Sequence, residues 1–256
     1  MELFYREKGC GHPLIILHGL WGASENWFPV ANLLADDYRV IMPDIRNHGM
    51  SPHSPEHNYE VLSDDISHFI EQLHLAEKPH IIGHSMGGKI VMALLLRNPG
   101  IADKAIIIDI APVSYPPSPV HQSLFRFINT LNPELFADRK EILSYIREAF
   151  PDERTQQLLM KNLQKTEKGI YQWKINTQAL YDNQEALSGW PDSLRHKIYD
   201  KKILFIKGEK SDYIPGPEEI KNNFPAAVLT VVPGAGHWVH TDQPENLARE
   251  IKQFLR

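Results

Sequence analysis

The chain has 256 residues, 42% of them hydrophobic and 23% charged, which suits one soluble globular domain able to bury a core without help from a disulfide or a metal. Its formal net charge of −5 argues against a broad phosphate-binding face, so no nucleic acid is expected as a partner.

The opening MELFYREKG mixes charges with apolar residues and has neither the apolar core of a secretory signal nor the arginine-rich pattern of a transit peptide. Cys10, the only cysteine, sits between two glycines and reads as a turn thiol in a reducing compartment. No apolar run is long enough to span a bilayer, so a cytoplasmic location without a membrane span is expected. Runs 14–17 (LIIL) and 38–42 (YRVIM) read as buried strands, ending in His18-Gly19 and Pro43-Asp44. Leu62, Ile66, Phe69, Ile70 and Leu73 then recur at helical spacing. A strand at 80–82 leads into a helix carrying Ile90, Val91, Leu94 and Leu95, and further strands follow at 105–108, 203–206 and 228–232. Leu247, Ile251, Phe254 and Leu255 mark a last helix. This alternation predicts a mostly parallel, twisted sheet of six or more strands flanked by helices. Between 112 and 197 no strand of that kind occurs. The stretch opens with the proline-rich PVSYPPSP and continues in helical pieces near 122–131, 139–150 and 153–162. It predicts a helical cap, 112–197, inserted into a core formed by 1–111 and 198–256.

Chemistry gathers where strands end. Gly83-His84-Ser85-Met86-Gly87 lies between a strand and a helix, the context of a G-x-S-x-G nucleophile elbow in an α/β-hydrolase fold. Side chains at Gly83 or Gly87 would collide in that turn, and the helix directs its positive N-terminal end at Ser85. A serine hydroxyl needs an imidazole to take its proton. His237, in Gly234-Ala235-Gly236-His237 after the last strand, stands where this fold places that base, while His240 reads as structural. The His18-Gly19-Leu20-Trp21-Gly22 loop is the expected source of a second oxyanion donor, which assigns the hole to the backbone N–H groups of Leu20 and Met86. His18 reads as a buried hydrogen-bonding residue. Trp21, His84, Phe125, Tyr181 and Trp238 are candidates to bind substrate, although aromatic residues at such positions also serve simply as core.

The segments HGLWG, DIRNHGMSPH, GHSMGGK, DIAPVSY and GAGHWVH resemble, over nearly the whole chain, the YbfF-like esterases and their mitochondrial abhydrolase-domain relatives. The resemblance implies an α/β-hydrolase fold, hydrolysis of acyl esters or thioesters, and an acid at position 109. From the residues alone two acids compete. Asp109 ends an all-apolar strand, where an ionised carboxylate is costly unless an imidazole N–H or similar donor meets it. Asp212 stands one residue beyond the Gly-x-x-Asp slot in GEKSD, with Ser211 in the slot itself. The residues favour Asp109, with Asp212 as the alternative. The stretch 46–53 is expected to shape a wall of the site.

The expected reaction is therefore hydrolysis of a small-molecule acyl ester or thioester of small to medium chain length through a covalent acyl-enzyme. Histidine spacing offers no H-E-x-x-H and no Cys–His cluster, so no metal site and no cofactor are expected. Carbon–carbon bond hydrolases and perhydrolases use the same three residues and form the enzymatic alternative. A low-turnover ligand-binding protein on this fold is the other. Oligomeric state is open at this level.

Overall fold

Leu14, Ile15, Ile16 and Leu17 are all fully buried, because alternate side chains of this strand enter two different cores. Leu14 and Ile16 join Trp27, Val30, Leu34, Leu247 and Ile251 on one face, and Ile15 and Leu17 join Leu62, Ile66, Phe69 and Ile90 on the other. The computed structural model describes every residue except Pro117, so that position of the expected cap opening lies outside the described residues.

The strands are β1 (Tyr5–Lys8), β2 (His12–Leu17), β3 (Tyr38–Pro43), β4 (His80–His84), β5 (Ala105–Ile108), β6 (Leu163–Lys165), β7 (Tyr171–Trp173), β8 (Ile203–Gly208) and β9 (Ala227–Val232). Seven form one sheet in the order β1-β3-β2-β4-β5-β8-β9, parallel throughout except where β1 runs against β3. The helices are α1 (Phe28–Leu34), α2 (Tyr59–Gln72), α3 (Met86–Arg97), α4 (Pro119–Thr130), α5 (Arg139–Ala149), α6 (Glu153–Lys161), α7 (Thr177–Asp182), α8 (Gln184–Ser188), α9 (Pro217–Lys221), α10 (Val239–Asp242) and α11 (Pro244–Leu255). Helices α1 and α11 cover one face of the sheet, and α2 and α3 cover the other. The chain therefore has the α/β-hydrolase architecture, a mostly parallel sheet between helical layers.

Three features differ from the sequence expectation. Strand β1 carries three charged or polar residues in four and no apolar alternation; it is held at the sheet edge by backbone pairing with β3. Between β5 and β8 the chain contains, besides helices α4 to α8, a hairpin of three-residue strands, β6 and β7, too short to leave a periodic signal. Helix α4 begins at Pro119, earlier than its apolar pattern suggests, because proline is favoured in a first turn where its missing N–H has no partner to lose.

After β2 the chain crosses to β3 on one side, and it returns to build β4 on the other. The carboxyl ends of β2 and β4 thus frame a topological switch point, the crevice where open α/β sheets place ligands.

Candidate active site

Ser85 sits on the turn between β4 and α3 with φ 52° and ψ −118°, a backbone region that L residues rarely occupy. Close packing imposes the turn. A Cβ on Gly83 would lie 2.2 Å from the Gly87 carbonyl oxygen, and a Cβ on Gly87 would lie 2.5 Å from that of Leu17. The Ser85 N–H donates to the Ile108 carbonyl at 3.0 Å, which anchors the turn to β5.

His237 arrives on the loop between β9 and α10. Its Nε2 stands 3.0 Å from Ser85 Oγ, and its Nδ1 stands 2.8 Å from Asp109 Oδ2. A carboxylate oxygen only accepts, so Nδ1 carries the proton and Nε2 is left to accept from the serine hydroxyl. Asp109 follows β5, is fully buried, and also has a left-handed backbone with φ 53°. Its Oδ1 accepts the Gly208 N–H at 2.9 Å, and its Oδ2 accepts the Ser211 hydroxyl as well as the imidazole. Three donors thus satisfy a charge that would be expensive to bury bare.

The loop after β2 passes beside the serine: a Cβ on Gly19 would lie 3.3 Å from Ser85 Cβ. Trp21, at φ 57°, donates its N–H to His48 Nε2 at 3.1 Å. His48 can accept only because its proton is on Nδ1, donated to the Arg46 carbonyl at 3.0 Å. Burial, with His18 and His57 nearby, lowers the pKa of His48 well below the usual histidine range and so keeps it neutral. Among the described residues, neither the Leu20 nor the Met86 amide is bonded to another protein group, and both residues line the cavity in front of Ser85.

That cavity measures about 880 Å³. Trp21, His84, Phe125, Tyr181 and Trp238, the five substrate-binding candidates, all line it. His84 is committed elsewhere: its Nε2 donates to the His237 carbonyl at 2.8 Å, holding the loop that carries the imidazole. Lys89, one turn along α3 from Ser85, is almost fully buried and donates to the carbonyls of Ser188 and Gly189 at 3.1 and 2.6 Å. Burial pulls its pKa down to about 7.

The sequence matches the alpha/beta hydrolase fold family over residues 12–244. It is 34% identical to the protein named esterase YbfF of Escherichia coli (strain K12), covering 95% of this chain and 92% of that one. The chain belongs to the α/β-hydrolase family, in its YbfF-like esterase branch. It is also 32% identical to a Danio rerio protein named sn-1-specific diacylglycerol lipase ABHD11, over 97% of this chain and 80% of that one. A solved structure described as a marine microorganism esterase superposes with a TM-score of 0.92 at 38% identity, covering 99% of both chains. This α/β-hydrolase is an enzyme of the serine hydrolase type.

Within the α/β-hydrolase, Asp212 is exposed at the cavity rim and makes no hydrogen bond to His237, so the alternative acid is not brought into the site. Residues 46–53, expected as a wall, do not line the cavity; they reach it through the His48 bond to Trp21. His18 is buried, accepting the Ile45 N–H at 2.9 Å, and His240 stacks on Trp27 with ring centroids 4.7 Å apart. Three residues were missed. Ser211 supports Asp109, and Tyr213 stacks on His237 with centroids 3.9 Å apart. The Tyr115 hydroxyl donates to the Tyr213 carbonyl at 2.6 Å and accepts the Ala111 N–H at 2.8 Å. The Gly-x-x-Asp slot occupied by Ser211 was a usable signal. Nothing in the sequence marked the two tyrosines as partners. No helix is long and apolar enough to cross a membrane among the described residues.

Proposed function

We propose that this α/β-hydrolase cleaves carboxylic esters or acyl thioesters of small to medium acyl chains, with Ser85 as nucleophile, His237 as general base and Asp109 as the acid. The observation that carries the reading is the continuous hydrogen-bond chain from Ser85 Oγ through His237 to buried Asp109, opening on a cavity of about 880 Å³. Ser85 Oγ attacks the acyl carbon while His237 Nε2 takes its proton, and the Leu20 and Met86 amides receive the oxyanion. Collapse expels the alcohol or thiol, which leaves with the proton from Nε2. Water then attacks the acyl-enzyme, giving its proton to Nε2, and as the acid is released Nε2 returns that proton to Ser85 Oγ. Asp109 holds the imidazole in the required tautomer and balances the imidazolium. Residues 112–197 serve as the cap that bounds the acyl group, with Phe125 and Tyr181 on its cavity side. Names of relatives extend the substrate class to glycerol esters as a case to assay.

The test is hydrolysis of p-nitrophenyl esters from acetate to palmitate, with matching acyl thioesters, by wild type and Ser85→Ala. Turnover lost in the variant, together with fluorophosphonate labelling of Ser85, is the expected result. Folded wild-type protein that neither turns over any ester nor takes the label would return the reading to a binding protein.

A further inference from the structure

At the end of the sheet away from Ser85, two histidines face each other. His12 opens β2 and His80 opens the neighbouring β4, with ring centroids 4.1 Å apart. The Asp103 N–H donates to the Pro79 carbonyl and the Ile81 N–H to that of Lys104, which seats Asp103 beside His80. One ligating atom from each of His12, His80 and Asp103 lies within 4.8 Å of the others, the one such cluster among the described residues.

Two nitrogens of this cluster lack hydrogen-bond partners. His12 Nδ1 meets Glu77 Oε2 at 2.8 Å, and because the carboxylate can only accept, Nδ1 donates there and Nε2 is the nitrogen free to take a ligand. His12 Nε2 is buried and has no hydrogen-bond partner. His80 Nδ1 is likewise buried and unpartnered, 3.3 Å from Asp103 Oδ2 without hydrogen-bond geometry. His80 is only 5% exposed. Two buried imidazole nitrogens without hydrogen-bond partners thus stand in one cluster with a carboxylate, an arrangement that a cation would satisfy.

We infer that His12, His80 and Asp103 form a binding site for a divalent transition-metal ion of the zinc type. Two imidazole nitrogens and one carboxylate suit Zn²⁺ better than Mg²⁺ or Ca²⁺, which prefer oxygen sets. The 3.3 Å separation between His80 Nδ1 and Asp103 Oδ2 matches the edge of a tetrahedron with metal–ligand bonds of about 2.0–2.1 Å. Glu77 supplies the outer carboxylate that commonly fixes a ligating histidine's tautomer. The ion would tie together the starts of β2 and β4 and the approach to β5. At about 3.3 Å per residue, the five residues from His80 to Ser85 separate it from the nucleophile by roughly 16 Å, so its role is structural.

The experiment is calorimetric titration of Zn²⁺ into the chelator-treated full chain near neutral pH, with thermal melts and a Co²⁺ absorption spectrum alongside. The variants are His12→Ala and Asp103→Asn, each checked by circular dichroism and by its melting temperature in chelator. Expected are one ion per chain, a melting temperature raised by Zn²⁺ but not by Mg²⁺ or Ca²⁺, and Co²⁺ bands of tetrahedral intensity. Affinity should fall at least about tenfold in each folded variant. Absence of Zn²⁺ binding to wild type, or binding unchanged in either folded variant, would overturn the inference. Asp103 is half exposed, so its variant decides the matter should His12→Ala not fold.

Discussion

Ser211 donates its hydroxyl to Asp109 Oδ2, the same oxygen that accepts Nδ1–H from His237. The Gly-x-x-Asp slot is thus filled by a residue that supports the carboxylate delivered from β5. Two loops reach one imidazole, and either could in principle supply its carboxylate.

The acid can consequently be moved. Asp109→Asn is expected to lower kcat by about 10⁴-fold while the fold persists, because the imidazole is held in the wrong tautomer. Combining it with Ser211→Asp should recover at least about tenfold over Asp109→Asn, since Ser211 stands against the same Asp109 oxygen that meets Nδ1. Asp212→Asn should keep near-normal turnover. Steady-state rates on one p-nitrophenyl ester decide all three, and loss of activity in Asp212→Asn alone would reverse the assignment.

Steric demand at the elbow yields a paired prediction. Gly83→Ala forces a methyl to 2.2 Å from the Gly87 carbonyl oxygen, whereas Gly100→Ala meets nothing nearer than Lys78 Nζ at 3.9 Å. The first should cost several kcal/mol, on the order of 3 or more, and the second should stay within about 0.5 kcal/mol of wild type. Urea midpoints measure both. Equal stability of the two would remove the packing explanation for the G-x-S-x-G spacing.

Buried histidines make the fold sensitive to acid. Burial, followed by the charges of Arg46 and His18, lowers the pKa of His57 to about 3; burial and His237 do the same to His240. The unfolded chain takes up these protons near pH 6.5 and the folded chain does not, so stability falls as pH drops from about 6.5 toward 3. At pH 5 each of the two histidines should cost about 2 kcal/mol relative to neutral pH. His57→Gln should give a visibly shallower fall of the urea midpoint between neutral pH and pH 5. A slope as steep as wild type would show that other groups govern the acid limb.

Phe125 reaches the cavity from α4 and meets the edge of Trp21 with centroids 4.9 Å apart. Phe125→Leu enlarges that end of the cavity. It should raise the kcat/KM ratio of longer to shorter acyl esters by about tenfold, as expected for a methylene or two of extra room. An unchanged chain-length profile would place Phe125 in the core alone.

Much of this protein was legible in one dimension because its signals are local. The all-apolar runs in β2 and β5 fit strands covered on both faces, and GHSMG between strand and helix could be little else than an elbow. Elements without a local signature escaped: β1 is polar and depends on backbone pairing with β3, and the β6–β7 hairpin is too short for any period.

The sequence by itself determined the fold class and singled out Ser85 and the histidine that follows the last strand as candidates, since each rests on spacing along the chain. Only the tertiary structure brings Asp109 rather than Asp212 to His237. The Asp109 carboxylate comes within 2.8 Å of His237 Nδ1, and residues 128 positions apart meet there through the order of strands in the sheet. The same holds for the support given by Ser211, Tyr213 and Tyr115, and for His12, His80 and Asp103. Their distances are set by strand register and packing, which no periodicity in the sequence encodes.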